Sequence, residues 1–162
     1  MASESVTSDR PSPIPEGMGH AVPYLSVRNA AEAIAFYMRA YGAVELMRVT
    51  MPDGVIGHAE LRIGEARFML ADEFPGMGFV GPQTLGGTSV TIHVYVEDVD
   101  RFVARALEAG AKLLRPLENQ SYGDRAATLE DPFGHRFIFA SRVEIVSPEE
   151  MQRRARKVHE PE

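Results

Sequence analysis

Apolar residues along the chain follow two alternating periods. From Ala30 onward, Ala30, Ile34, Tyr37, Met38 and Tyr41 recur at helical spacing, which predicts one amphipathic helix. Asn29 supplies an N-cap, Glu32 follows as its capping-box partner, and Gly42 stands where a helix stops. Around this helix the period drops to two. Residues 20–27, 43–50, 55–63 and 66–71 read as strands, with Pro52-Asp53-Gly54 as a turn and Gly64 as a hinge. The same order then returns. Residues 89–96 read as a strand, and Asp98 caps a helix whose buried face is Val99, Phe102, Val103, Ala106 and Leu107. Gly110 stops that helix. Strands at 111–115, 125–130 and 136–140 follow, the last two joined by a turn at Asp131-Pro132-Phe133-Gly134.

The recurrence is an internal repeat with a shift of 68 to 70 residues. Val27 matches Val96, Gly42-Ala43 matches Gly110-Ala111, and residues 67–71 match 136–140 in order. Each unit reads strand, helix, strand, strand, strand. The expected organisation is a flexible Ser-, Pro- and Glu-rich tail at 1–17 and a folded region at 18–146, closed by a C-terminal helix and tail at 147–162. Within the folded region, module one spans 18–72, a linker 73–88 and module two 89–146. The stretch from Asp72 to Thr88 carries five Gly and two Pro, and a connection that long is usually functional or mobile. In the last segment Ser147-Pro148-Glu149-Glu150 starts a helix, with Glu149–Arg153 and Glu150–Arg154 as i,i+4 pairs.

Composition narrows the function classes. A 44% hydrophobic content permits a packed core in the 162-residue chain. The net charge of −6 argues against nucleic acid or an anionic membrane as partner, and it would suit a cationic ligand. The lack of cysteine excludes disulfides, thiolate metal sites and a cysteine nucleophile. No apolar run is long enough for a membrane helix, and the N-terminus lacks a signal-peptide core, so a cytoplasmic protein is expected. No serine sits in a strand-turn-helix elbow, and Gly86-Gly87-Thr88 precedes a strand rather than a helix, so it is no phosphate loop.

Two strand-helix-three-strand units ending in Glu130-Asp131-Pro132-Phe133-Gly134-His135-Arg136 resemble the vicinal oxygen chelate superfamily of glyoxalases, bleomycin-resistance proteins and dioxygenases. Residues 23–25, 33–37, 58–64, 122–125 and 147–151 are similar to its PhnB-like subgroup. The resemblance implies an α+β fold in which two βαβββ modules form curved mixed sheets around a cleft, with helices on the convex faces. It also implies a homodimer. Metal-dependent members draw their ligands from positions that fall here on Val22, Met69, Thr91 and Ile138, none of them a good ligand. No metal or other cofactor is therefore expected.

Strand alternation selects the cleft-facing residues: Tyr24, His58, Glu60, Arg62, Met69, Thr91, His93, Tyr95 and Ile138, with Tyr122 and Arg125 from the loop before a strand. Arg67 and Arg136 fall at the cleft edge. Two readings stay open, so enzyme or non-enzyme is undecided. One is a metal-free binder of a small organic molecule, such as a drug- or metabolite-sequestering protein. The other is a lyase, isomerase or dioxygenase using a rearranged His58, Glu60 and His93 metal site. A third, a scaffold contacting partners through its C-terminal helix, is weaker.

Overall fold

The computed structural model describes residues 11–158. Of the expected tail, 1–10 lies outside the described residues, as does 159–162 at the other end. The described part turns at Pro15–Met18 and lays Gly17 against the Arg67 guanidinium.

Module one runs β1 (Tyr24–Val27), α1 (Ala30–Tyr41), β2 (Val44–Thr50), β3 (Ile56–Ile63) and β4 (Ala66–Asp72). A one-turn 3₁₀ helix (Pro75–Met77) and the short α2 (Pro82–Leu85) occupy the linker. Module two repeats the first with β5 (Thr91–Tyr95), α3 (Val99–Glu108), β6 (Lys112–Asn119), β7 (Asp124–Glu130) and β8 (Arg136–Arg142), and α4 (Pro148–Val158) follows. The two four-stranded sheets have matching orders, β1-β4-β3-β2 and β5-β8-β7-β6. In each the first strand pairs parallel to the last, and the other pairs are antiparallel.

Two strands differ in length from expectation. β1 starts at Tyr24 because Pro23 has no N–H to give, although its carbonyl still accepts from the Met69 amide at 2.8 Å. β6 runs on to Asn119 through Pro116, which an edge strand tolerates where the register with β7 shifts between Arg115 and Glu118.

Helices α1 and α3 cover one face of each sheet and pack against each other, so both modules share one core. Leu25, Val27, Leu61, Phe68 and Leu70 of the first sheet and Leu129, Phe137 and Phe139 of the second are buried there. Tyr41 bridges the modules, with its ring 5.2 Å from Phe137 and 4.8 Å from Phe139. Met38, expected on the buried face of α1, is exposed instead; the other four positions of that face are buried.

Polar contacts lock the modules together. Asp131 is buried in the turn before β8, where its carboxylate accepts the Tyr37 hydroxyl at 2.6 Å and the amides of Phe133 and His135 at 2.9 Å. Arg105 of α3 donates to the carbonyls of Arg39 and Met38, capping the negative end of α1. The repeat extends to helix starts. Asp72 at the end of β4 accepts from Ala30 N, and Ser141 in β8 accepts from Val99 N.

Candidate functional site

The sheet faces opposite α1 and α3 carry the polar chemistry. On the first sheet, Tyr24, Met69 and Glu60 lie side by side in register across β1, β4 and β3. Tyr24 Oη lies 2.9 Å from His58 Nδ1, and His58 Nε2 lies 3.4 Å from Glu60 Oε1. A carboxylate only accepts, so Nε2 carries the proton and Nδ1 receives the Tyr24 hydroxyl. The result is a hydrogen-bonded Tyr24–His58–Glu60 chain. Partial burial raises the Tyr24 phenol pKa above its ordinary value, which keeps it a donor.

On the second sheet, Thr91 pairs with Arg136 and His93 with Ile138, while Thr128 flanks Ile138 from the other side. The His93 and Tyr95 rings stand 4.8 Å apart. Tyr95 Oη donates to buried Asp124 at 2.7 Å, and this bond, more than desolvation, pushes the phenol pKa up. Tyr122 is raised too, by burial first and then by the Asp124 charge.

A cavity of about 690 Å³ opens where β1 meets β5. Val22, Pro23, Tyr24 and Ser26 line it from module one, Thr91, His93, His135 and Arg136 from module two, and Val80, Pro82, Leu85 and Val90 from in and beside the linker. The linker is a wall here. Glu73 accepts from Gly81 N at 2.6 Å, and Arg28 reaches both Glu73 and Thr84. Gly81 approaches the Ser26 carbonyl too closely to admit a Cβ, and Gln83 donates to the Pro132 carbonyl of module two. The bonds from Thr84 and Gly81, with the Arg28 charge, hold the Glu73 carboxyl below its ordinary pKa.

The residues read from sequence therefore divide. Tyr24, Thr91 and His93 line the cavity. His58 and Glu60 stand behind Tyr24, and Met69 and Ile138 share the same sheet faces. Tyr95 and Tyr122 gather around Asp124 instead. Arg62 turns to the Gly64 carbonyl at the β3–β4 turn. Arg125, expected to face the ligand, forks onto Asp100 at the start of α3 and reaches Asn119, so it serves the fold. Sequence reasoning missed His135 as lining, because its ring reaches the Ser26 carbonyl across 109 positions of chain. It also missed the apolar linker residues, since nothing in a Gly- and Pro-rich run shows which way it folds.

The described residues do not bring His58, Glu60 and His93 together as one ligand set. His93 packs beside Tyr95 rather than with His58 and Glu60, and among the described residues no three His, Asp or Glu are grouped to hold a metal ion. Of the four positions that the family resemblance marks for metal ligands, Val22 and Thr91 line the cavity, and neither is a good ligand for a divalent ion.

Fold, repeat and cavity together define a two-module protein of the vicinal oxygen chelate type. The profile of the Glyoxalase/Bleomycin resistance protein/Dioxygenase superfamily matches residues 17–139, and the chain belongs to that superfamily. It is 47% identical over 133 residues to Rv0887c of Mycobacterium tuberculosis, covering 80% of this chain and 78% of that protein. Among solved structures it resembles TioX from Micromonospora sp. ML1, with a TM-score of 0.61 and 27% identity over 80% of this chain and all of that one. A PhnB protein from Bacillus cereus shares the fold, with a TM-score of 0.58 and 16% identity over 76% of this chain and 99% of that one.

Proposed function

We propose that the protein binds a small organic molecule in the cavity between its modules, without a metal ion, and works as a homodimer in the cytoplasm. The observation that carries this reading is the cavity itself. Its volume suits a drug-sized ligand, its walls are mostly apolar, and a few polar groups converge on it. The family's metal-ligand positions hold side chains that suit packing rather than coordination. Sequestration follows as the simplest role, since binding alone requires no reacting group. The homodimer reading is supported by Val44, Met47, Val49 and Met51 on and beside edge strand β2, all exposed, an apolar row that a second copy would cover.

A thermal-shift screen of small organic molecules tests the reading. A ligand at roughly a hundred times its Kd adds about 2.7 kcal/mol, several degrees in Tm for a chain of this size. Hits should stabilise the wild type, and Thr91→Trp, which fills the cavity from an exposed position, should lose the effect. No stabilising compound, or equal shifts in the variant, would overturn it.

A further inference from the structure

We infer that the ligand is an organic acid: an apolar body carrying one carboxylate, with the carboxylate held at the β5–β8 wall. This rests on the binding reading above and adds the ligand's charge.

The chain as a whole is acidic, with a net charge of −6, yet the cavity is not. Among the described residues its titratable lining is Tyr24, His93, His135 and Arg136, with no Asp or Glu. Nearby carboxylates are turned to other work. Glu60 answers His58, and Glu73 is held by Gly81 and Arg28. Local charge, rather than net charge, sets what a desolvated site accepts.

The donors cluster on one wall. Arg136 pairs in register with Thr91, and His93 lies two residues further along β5 on the same face. Arg136 spends only its Nε, on Glu130 Oε2 at 3.3 Å. Both of its terminal nitrogens lack a protein acceptor among the described residues, and so do the ring nitrogens of His93. His58 and His135, by contrast, are both engaged. A guanidinium edge with a hydroxyl and an imidazole beside it fits a carboxylate, which accepts at both oxygens. Val22, Pro23, Leu85 and Val90 supply apolar surface for the rest of the molecule. An ammonium group would meet the Arg136 guanidinium, whose partner Glu130 is already engaged with it, and find no counter-ion in the lining, so a cation is disfavoured where net charge alone had suggested one.

Isothermal titration with octanoate, 1-octanol and octylamine, three probes with one tail and three head groups, tests this at low salt and neutral pH. Octanoate should bind roughly ten-fold or more tighter than octanol, the scale of one charge-assisted hydrogen bond, and octylamine weakest. Arg136→Gln, with Glu130→Gln added so that no carboxylate is left unpaired, should bring octanoate down to the octanol level and leave octanol unchanged. Glu130→Gln alone should keep or raise octanoate affinity. If the double variant does not fold, His93→Phe carries the test and should lower octanoate selectively. Octylamine binding as tightly as octanoate, or an octanoate preference that survives loss of Arg136, would overturn the inference and leave the binding reading standing. No binding by any of the three would overturn both.

Discussion

Asp131 is buried where the two modules meet. It joins Tyr37 of module one to the turn of module two, across 94 positions of chain. Asp131→Ala would strand one hydroxyl and two amides in a buried turn, and chemical denaturation should show a loss of about 2–4 kcal/mol. A loss below about 0.5 kcal/mol would contradict the role. Burial, the first cause, raises the Asp131 carboxyl pKa above its ordinary 3.8, against the lowering effect of its hydrogen bonds. The folded state then holds this proton to higher pH than the unfolded chain does. The group's stabilising contribution is therefore full below 3.8 and is lost as pH rises through its folded value. Stability of the wild type relative to Asp131→Asn should accordingly rise on acidification. The Tyr24–His58–Glu60 chain makes a second prediction at this scale. Nitrogen chemical shifts of His58 should report the Nε2-protonated tautomer, and Glu60→Gln should weaken that preference; protonation at Nδ1 in the wild type would refute the arrangement. Little of this was visible in the chain. His58 and Glu60 share a face by strand alternation alone, but that Tyr24 reaches across β4 to them depends on sheet order.

The linker decides the site's shape, and Gly81 decides the linker's path. Its backbone φ of −91° is open to any residue, so Gly81→Ala is not a strain problem. The difficulty is the Ser26 carbonyl, which leaves no room for a Cβ. The substitution should push α2 off β1, cost about 1–3 kcal/mol on urea denaturation and weaken cavity ligands in parallel. Unchanged ligand affinity would show that the linker is not a wall of the site. Most other elements were legible. Helices α1 and α3 were marked by caps and stops, and Asn29 and Asp98 accept the amides that capping predicts. Strand order was not legible, because periodicity gives faces but not neighbours. The linker was illegible for a physical reason: its course is set by Glu73, Arg28 and Gln83 reaching residues distant in sequence.

The molecule as a whole is a duplicated module whose halves share one core and diverge on their open faces. The Asp72 and Ser141 helix contacts preserve the duplication with different side chains, which sequence matching could not register. The open faces differ in chemistry: a tyrosine–histidine–glutamate chain on one, a tyrosine pair around buried Asp124 on the other. Met47→Lys with Val49→Lys should convert a dimer to a monomer in light scattering with little change in Tm, since both side chains are already exposed. A wild-type monomer would remove the proposed partner surface. Native mass spectrometry of the untagged protein, repeated after denaturation, distinguishes a metal-independent organic ligand between the modules from a metal centre. Subunits free of stoichiometric transition metal are expected, with organic mass released on unfolding or added by titration. About one transition metal per cavity, bound without any organic mass, would contradict that expectation.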